Sequence, residues 1–294
     1  MPILSVKQAE RAMASKLKRT TGYIVVAVLT LAVLCYAVIL TWFYVHQDDL
    51  LYPADHVGIP PVAKGLVDFE LVQITTTDGE TLAGWWKAPP VGGGVVLYLH
   101  GQLGSLGTQD YIVTRSRDMA ASGMGVLAID YRGYGGSTGH PSEAGLITDA
   151  RAAYDFIQRS APDARVVIFG TSLGTAVAVA LAAQVEESGV LLDSPFTSAL
   201  HIAEMRYPWL PSSILMRDHW ESDIRIAQIN APLLVVHCDA DLTVPSATGA
   251  ALFAQANDPK TMIVLPNCGH IEIWNGTAKD KILETLQVWL KEPI

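Results

Sequence analysis

Residues 166–174 read VVIFGTSLG, and residues 175–183 continue as TAVAVALAA. Four apolar residues, typical of a buried strand, lead into Gly170, and a run of helix-forming residues begins beyond Gly174. Glycines at both flanking positions allow the backbone to turn sharply and to expose the hydroxyl of Ser172. The segment therefore predicts a strand, a tight turn that carries a reactive serine, and a helix.

On both sides of this segment, short apolar runs alternate with longer stretches of helical character. The predicted strands lie at 67–75, 82–87, 95–99, 126–129, 166–169, 190–192, 233–236 and 262–265. The predicted helices lie at 109–122, 142–160, 173–187, 246–256 and 276–291. Because this alternation is typical of strands joined by crossover helices, the sequence predicts an α/β fold with a mostly parallel sheet flanked by helices. In such a sheet, functional residues gather beyond the carboxyl ends of the strands.

A second G-x-S-x-G match, GGSTG at 135–139, competes with the first. Five residues separate it from the preceding predicted strand, and it runs into His140-Pro141, which disfavours a helix start. A nucleophile turn needs a strand before it and a helix after it. Ser172 is therefore favoured over Ser137.

The histidines supply a candidate base for Ser172, whose free hydroxyl is a weak nucleophile at neutral pH. Two of the eight histidines lie beyond Ser172 at the end of a predicted strand, His237 and His270. We assign the base to His270, because the short turn at 266–269 can carry it over the sheet edge. His237 belongs to the strand terminus.

Three carboxylates follow predicted strands and are candidates for the acid that orients the base. Asp193 ends one strand, and Asp239 and Asp241 follow the next. Asp241 is favoured, and the other two stay open at this point. A metal site built from His237, Asp239 and Asp241 is disfavoured. No metal or organic cofactor is expected, because a serine, a histidine and a carboxylate can catalyse the reaction without one.

The composition of the 294 residues excludes several classes of protein. Hydrophobic residues make up 50% and charged residues 17%, which argues against disorder and against a highly charged coiled coil. The net charge is −9, and residues 48–294 hold 15 basic and 28 acidic side chains. Nucleic acid is therefore not an expected partner.

An apolar segment at 20–47 contains no Asp, Glu, Lys or Arg. It is long enough to cross a bilayer, and aromatic residues lie near both of its ends. A secretory signal peptide would have an apolar run about half as long, and no A-x-A cleavage pattern follows this one. The segment predicts a transmembrane signal anchor, with the membrane bilayer as a partner.

The charges before this segment predict its orientation. Residues 1–19 form a short arm with five basic residues and one acidic residue. The positive-inside rule places this arm in the cytoplasm and the rest of the chain across the membrane, as in a bacterial inner membrane facing the periplasm. Residues 48–66, rich in proline, are predicted to be a linker, and residues 67–294 to be the α/β domain.

Jointly, several motifs resemble the α/β-hydrolase superfamily, and within it the membrane-anchored Bem46-like and ABHD-type serine hydrolases. The resemblance covers about residues 66–290, and its motifs are LHG at 99–101, DYRGYGGSTG at 130–139, PSE at 141–143, GTSLG at 170–174, LDSPF at 192–196, DLTVP at 241–245 and GH at 269–270. The family's H-G-x-x-D-x-x-V-P stretch falls on His237 and Asp241, which supports Asp241 over Asp239. The chain departs from that stretch at Cys238, where the family usually has glycine.

The resemblance implies an α/β-hydrolase fold and a serine hydrolase acting on esters or thioesters. It implies an oxyanion hole made by the backbone N–H groups of Gln102 and Leu173. It also implies that His100 holds the loop after the predicted strand at 95–99 and is not a second base. Tyr131, Arg132 and Tyr134 are expected to pin the loop after the fourth strand.

Residues 195–230 form an insertion that, in hydrolases of this shape, lies over the serine as a small cap. Its apolar residues include Met205, Trp209 and Met216, which suit an acyl chain and are the predicted substrate-binding residues. Packing of the cap onto the core explains the same residues equally well. The expected substrate is a lipid or an acyl-bearing small molecule.

Two other functions compete with a lipid, ester or thioester hydrolase. A serine peptidase on the same fold is one, because the three side chains do not distinguish an amide from an ester. A membrane-tethered binding protein without catalysis is the other.

Three cysteines leave one question open. Cys35 lies in the apolar segment, whereas Cys238 and Cys268 flank the candidate acid and base in the sequence. If the domain is extracytoplasmic, these two could form a disulfide that braces both loops. Two buried thiols are an equally good interpretation.

Overall fold

A computed structural model describes residues 6–291 of the chain. These residues belong to two compact units, Met1–Gln47 and Asp48–Ile294. The first unit consists of most of one helix, α1 (Val6–Leu51), which is long and apolar enough to cross a membrane. None of the residues in its apolar window is buried within the described chain, as expected of a helix whose side chains face lipid.

The predicted linker at 48–66 contains the end of α1 and a 3-10 helix at Pro61–Lys64. Tyr52, directly after α1, is buried, and its hydroxyl donates a hydrogen bond to Asp218 Oδ2 at 2.6 Å. Asp48 accepts a hydrogen bond from Arg217 at 2.7 Å. The start of the second unit is thus attached to the predicted cap at 195–230.

The second unit contains a mixed sheet of eight strands. The strands are β1 (Glu70–Thr75), β2 (Thr81–Lys87), β3 (Val95–Leu99), β4 (Gly125–Ile129), β5 (Val166–Thr171), β6 (Gly189–Asp193), β7 (Leu233–Cys238) and β8 (Lys260–Leu265). Their order is β1-β2-β4-β3-β5-β6-β7-β8. β2 pairs antiparallel with β1 and β4, and the remaining neighbours are parallel. The predicted mostly parallel sheet is confirmed.

Helices cover both faces of this sheet, as the alternation in the sequence predicted. The helices of the second unit are α2 (Asp110–Ala121), α3 (Glu143–Ser160), α4 (Leu173–Ala182), α5 (Ala199–Arg206), α6 (Ser212–Leu215), α7 (Ser246–Gln255) and α8 (Gly276–Lys291). The short helices α5 and α6, which the sequence analysis left unassigned, lie outside these layers, within the predicted cap at 195–230, together with a 3-10 helix at Ile226–Gln228. Ser198 caps α5 by accepting a hydrogen bond from the N–H of His201 at 3.0 Å.

The helix predicted at 173–187 ends earlier, at Ala182. The chain turns there because it must re-enter the sheet, and Ser188 N–H already donates to the carbonyl oxygen of Val166 at 2.7 Å. The first strand is also shorter than predicted and begins at Glu70.

The continuous apolar runs are strands buried on both faces. Within β3, Leu97 packs into a core cluster with residues of α3 and α4, whereas Val96 packs into a second cluster with residues of α2 and α8. A strand between two helical layers needs apolar side chains at successive positions rather than at alternate ones. These two clusters hold the carboxyl ends of the central strands, where the candidate site residues lie.

A disulfide joins Cys238, the last residue of β7, to Cys268 in the loop after β8. The sequence left this pairing open. The bond links the loop that carries Asp241 to the loop that carries His270.

Reduction of this disulfide is expected to lower the free energy of unfolding by about 3.6 kcal/mol, because the cross-link closes a loop of 30 residues in the unfolded chain. Denaturant unfolding of the detergent-solubilised chain, followed by tryptophan fluorescence with and without a reductant, measures the effect. Cys35→Ser leaves the disulfide intact and should keep the full difference. Equal stability of the oxidised and reduced chains would contradict the prediction.

Candidate active site

Ser172 sits in a strained turn between β5 and α4. Its φ angle is +52°, in a region that residues other than glycine rarely adopt. A Cβ on Gly170 would clash with the carbonyl oxygen of Gly174, and a Cβ on Gly174 would clash with that of Leu99. Close packing of strand and helix therefore requires glycine at both positions, which is the physical basis of the motif.

His270 lies between Ser172 and Asp241. Its Nε2 is 2.9 Å from Ser172 Oγ, and its Nδ1 is 2.7 Å from Asp241 Oδ2. Because an ionised carboxylate only accepts hydrogen bonds, the imidazole proton is assigned to Nδ1. The lone pair of Nε2 then faces the serine hydroxyl, which is the arrangement of a general base.

Asp241 is buried, yet its environment favours the charged form. Burial alone would raise the pKa of this carboxyl, but hydrogen bonds from His237, His270 and the N–H of Val244 outweigh it and lower the pKa below its usual value. The second oxygen, Oδ1, accepts hydrogen bonds from the N–H groups of Thr243 and Val244, both at 2.9 Å. Asp241 thus remains a fixed negative charge beside the imidazole.

His237, the other candidate base, and Asp239, a candidate acid, make different contacts. Buried His237 places its Nε2 2.8 Å from the carbonyl oxygen of Val244 and 3.5 Å from Asp241 Oδ2. Asp239 Oδ1 accepts a hydrogen bond from the N–H of Asn267 at 2.8 Å. His237 therefore supports the loop after β7 that carries Asp241. Asp239 holds the start of the loop after β8 that carries His270, residues 266–275, which we call the histidine loop.

Asp193, the remaining candidate acid, forms a fully buried ion pair with Arg115 at 2.7 Å. The sequence analysis missed Arg115, because one arginine on a polar helix such as α2 normally faces solvent. No pattern along the chain marks it. Its partners come from β5, β6 and the histidine loop, which only the tertiary structure brings together.

The loop after β3 passes close to Ser172. A Cβ built on Gly101 would lie 3.5 Å from Ser172 Cβ. Tyr134 Oη donates a hydrogen bond to the carbonyl oxygen of Gln102 at 2.9 Å, and Tyr131 Oη donates one to that of His100 at 3.0 Å. Both tyrosines, expected to pin their own loop, thus also hold the segment that presents the N–H of Gln102.

Leu173 is the first residue of α4. The N–H groups of a first helical turn have no acceptor within the helix, so they are available to an anion. The structure places this N–H directly after Ser172. It can therefore act on a negative charge that develops near the serine oxygen.

His100 is fully buried, with Nδ1 2.6 Å from the carbonyl oxygen of Gly101 and its ring 4.6 Å from that of Tyr131. Burial lowers the pKa of this imidazole from 6.5 to about 4. The ring is therefore neutral at pH 7 and donates from Nδ1. Its Nε2 is buried without a hydrogen-bond partner among the described residues, so His100 holds the loop and does not contact Ser172 as a second base would.

The unfolded chain takes up the His100 proton near pH 6.5, whereas the folded chain does so near pH 4. His100 therefore allows full stability above pH 6.5 and lowers it as the pH falls, by about 3 kcal/mol at pH 4. His100→Asn keeps a donor for Gly101 and should remove this slope. Denaturant unfolding of both chains between pH 7 and 4 tests it, and parallel curves would contradict it.

Ser137, the alternative nucleophile, has a structural role. Its hydroxyl donates to the carbonyl oxygen of Asp130 at 2.7 Å and accepts from the N–H of Ala83 at 2.9 Å. Arg132 in the same loop pairs with Asp78 at 2.7 Å and Asp149 at 2.8 Å. These contacts fasten the loop after β4 to the hairpin and to α3.

The three predicted cap residues differ in their surroundings. Met205 and Trp209 are 43% and 51% exposed, whereas Met216 is partly buried and packs against the core. Met205 lies in α5, and the other two lie in the segments on either side of α6.

The comparisons with known proteins agree with this architecture. Residues 93–216 match the model of the family described as serine aminopeptidase, S33. An uncharacterized protein of Mycobacterium tuberculosis is 37% identical over 258 residues, covering 86% of this chain and 90% of its own length. Protein bem46 of Schizosaccharomyces pombe is 29% identical over 261 residues, covering 83% of this chain and 86% of its own.

A lipase and an esterase are also similar to the chain. Lysophosphatidylserine lipase ABHD12 of Danio rerio is 33% identical over 186 residues, covering 57% of this chain and 48% of its own. The solved structure of the Pyrococcus furiosus esterase Pf2001 superposes with a TM-score of 0.67 at 22% identity, over 81% of this chain and 97% of the esterase. A likeness at that identity concerns the fold alone. From the sheet order, the turn at Ser172 and these relatives together, we conclude that the chain belongs to the α/β-hydrolase superfamily, with the Bem46-like and ABHD-type hydrolases as homologues.

Proposed function

We propose that this chain is a membrane-anchored serine hydrolase that cleaves carboxylic ester or thioester bonds through an acyl-enzyme. The observation that carries the proposal is the continuous hydrogen-bonded path from Ser172 Oγ through His270 to Asp241, at 2.9 Å and 2.7 Å. A path of this geometry activates a hydroxyl for attack on a carbonyl carbon.

In the proposed reaction, His270 Nε2 takes the proton of Ser172 as Oγ attacks the carbonyl carbon. The N–H groups of Gln102 and Leu173 stabilise the resulting oxyanion, each by about 3 kcal/mol in a site that excludes water. His270 then gives its proton to the leaving alkoxide or thiolate, and the acyl-enzyme forms. His270 next deprotonates a water molecule that attacks the acyl carbonyl carbon. The imidazolium returns this proton to Ser172 Oγ as the bond between Oγ and the acyl group breaks and the acid leaves, and Asp241 stabilises each imidazolium state.

Two exposed leucines directly follow proposed site residues in the chain, and they support an acyl substrate. Leu103, which follows Gln102, is 56% exposed, and Leu242, which follows Asp241, is 93% exposed. Exposed leucines at such positions suit a ligand with a hydrocarbon chain. We propose Met205, Trp209 and Met216 as the cap residues that contact this chain. One relative, the lysophosphatidylserine lipase of Danio rerio, is by its name a hydrolase of the same substrate class.

The membrane placement rests on α1 and on charge. Five basic side chains precede the apolar segment, which favours an arm in the cytoplasm and a hydrolase domain on the opposite side. The disulfide between Cys238 and Cys268 supports the same side, because disulfides persist outside the reducing cytoplasm. A bacterial inner membrane with the domain in the periplasm meets both conditions.

A reporter enzyme that is active only in the periplasm, fused to the carboxyl terminus, tests this orientation. We expect high reporter activity in cells, and a reporter that is active only in the cytoplasm should stay silent at the same position. The reverse pattern would overturn the proposed orientation and leave the chemistry untouched.

A panel of chromogenic substrates tests the reaction. We expect turnover of p-nitrophenyl esters and of an acyl thioester, with kcat/KM rising from the acetyl to the octanoyl ester. Amino-acid p-nitroanilides should react far more slowly. Preference for the anilides would favour a serine peptidase, the second candidate, which the description of the matching family supports. A folded chain that neither turns over any substrate nor reacts with a fluorophosphonate would favour a binding protein.

A further inference from the structure

We propose that Arg115 is a positioning residue that sets the distance between His270 and Ser172. It lies on α2, outside every motif noted above, and acts by joining the nucleophile strand to the histidine loop. The inference rests on the proposed function, because it assigns Arg115 a role in that same site.

The guanidinium of Arg115 is fully buried and makes three strong contacts. Nη1 lies 2.7 Å from Asp193 Oδ2 and 2.7 Å from Thr171 Oγ1. Nη2 donates to the carbonyl oxygen of Ile271 at 2.8 Å. A planar fork with rigidly spaced donors can hold these groups at once.

Each of these partners adjoins a residue of the site. Thr171 precedes Ser172 in the chain, and the carbonyl oxygen of Asp193 accepts a hydrogen bond from Ser172 N–H at 2.9 Å. Ile271 follows His270. One side chain therefore connects the segment that bears the nucleophile with the segment that bears the base.

The histidine loop needs such a restraint. Ile271 has a φ angle of +58°, which is a rare conformation for a β-branched residue. A residue in this region keeps its conformation only when its surroundings hold it there. The hydrogen bond from Arg115 to the Ile271 carbonyl is a direct restraint on this turn, one residue from His270.

Aromatic rings complete the setting of Arg115. Its guanidinium carbon lies 5.2 Å from the ring centre of Tyr111, 5.6 Å from that of Phe169 and 5.5 Å from that of Trp274. Tyr111 Oη accepts a hydrogen bond from the N–H of Gly101 at 3.2 Å, next to the proposed oxyanion donor. Arg115 thus also contacts Tyr111, the side chain that supports the loop after β3 in which Gln102 lies.

Folding stability explains the buried pair of Arg115 and Asp193 less well than positioning does. Removing two charges from water is unfavourable, and well-packed apolar residues often replace a buried pair without loss of stability. Arg115 Nε, moreover, is buried with no hydrogen-bond partner within the described chain. Its specific contribution is the geometry of the two segments that it joins.

The test compares Arg115→Lys and the double variant Arg115→Met with Asp193→Leu to the wild-type full chain in detergent. Arg115→Met alone would leave Asp193 charged and unpaired and is expected to unfold the protein, so the double variant removes both charges. Arg165→Met is the matched control, because Arg165 bonds Ser188 and Trp289 at the opposite end of β5. Thermal melting verifies that each variant is folded.

We expect kcat for p-nitrophenyl esters to fall about 100-fold in the double variant and in Arg115→Lys, with KM little changed, because small displacements of a base have effects of this size. The rate of fluorophosphonate labelling should fall in parallel, and Arg165→Met should match the wild type. A folded double variant with kcat within twofold of the wild type would overturn the inference.

A measurement without substrate separates this inference from the proposed function. In ¹⁵N-histidine NMR spectra, the Nδ1–H signal of His270, identified by its loss in His270→Gln, should shift in both Arg115 variants and stay unchanged in Arg165→Met. If the wild type shows neither turnover nor labelling, the proposed function fails, and this signal still tests the positioning role. An unchanged signal in the folded double variant would refute that role.

Discussion

Ser172→Ala is expected to lower kcat for ester substrates by about a million-fold and to abolish covalent labelling by a fluorophosphonate. The reason is that, in the proposed mechanism, the hydroxyl 2.9 Å from His270 Nε2 forms the acyl-enzyme, and alanine has no group that replaces it. Residual hydrolysis comes from the oxyanion hole and from substrate binding. Steady-state kinetics on p-nitrophenyl octanoate, together with gel-based probe labelling, measures both effects.

The chain provides its own matched control for this variant. Ser137 lies in the second G-x-S-x-G match, and its hydroxyl bonds Asp130 and Ala83 in the loop after β4. Ser137→Ala should melt at a somewhat lower temperature and keep its labelling and its kcat. Retained labelling in Ser172→Ala, or loss of labelling in a folded Ser137→Ala, would contradict the assignment of Ser172 as the nucleophile.

Asp241→Asn is expected to lower kcat by about 10,000-fold while KM changes little. The carboxylate accepts the Nδ1–H of His270 at 2.7 Å, and this bond keeps the lone pair of Nε2 directed at Ser172. An amide donor at that place favours the opposite tautomer, in which Nε2 carries the proton and cannot act as a base. Because folding lowers the pKa of Asp241, its ionised carboxylate stabilises the folded chain above pH 3.8. This contribution to folding stability is lost as the pH falls further. Kinetics at pH 8, with melting curves for both chains, tests the effect.

Asp239→Asn is the comparison for this variant. Asp239 accepts a hydrogen bond from Asn267 and follows the same strand, so the two changes are alike in chemistry and near each other in sequence. We expect Asp239→Asn to keep kcat within a few-fold of the wild type. A larger loss in Asp239→Asn than in Asp241→Asn would reverse the choice of acid.

Much of the fold follows from patterns that are local in the chain. A strand buried on both faces must be apolar at successive positions, which is why the runs that form β3, β5 and β7 are visible in the sequence. Ser172 is visible for a similar reason, because the strained turn requires glycine at 170 and 174. The apolar segment at 20–47 is visible as one uninterrupted run, and it lies within α1, which is long and apolar enough to cross a membrane.

The predicted cap at 195–230 lacks local sequence patterns of this kind. α5 and α6 are only 8 and 4 residues long, and their conformation depends on packing and capping rather than on a repeated apolar face. The pairing of Cys238 with Cys268 was equally open, because a disulfide requires two side chains to meet across neighbouring strands.

Local steric and hydrophobic requirements act on adjacent positions, so the sequence alone specified the strands, the longer helices, the apolar segment of α1 and the turn at Ser172. The sequence favoured Asp241 among the three candidate acids, but which carboxylate lies beside His270, and the burial of Arg115 beneath the site, depended on which distant residues the tertiary packing brought together. The carboxylate of Asp193 is already paired with Arg115, whereas that of Asp241 meets His270 across 29 positions of the chain. No pattern among neighbouring residues encodes such a meeting, because it results from the order and register of the strands.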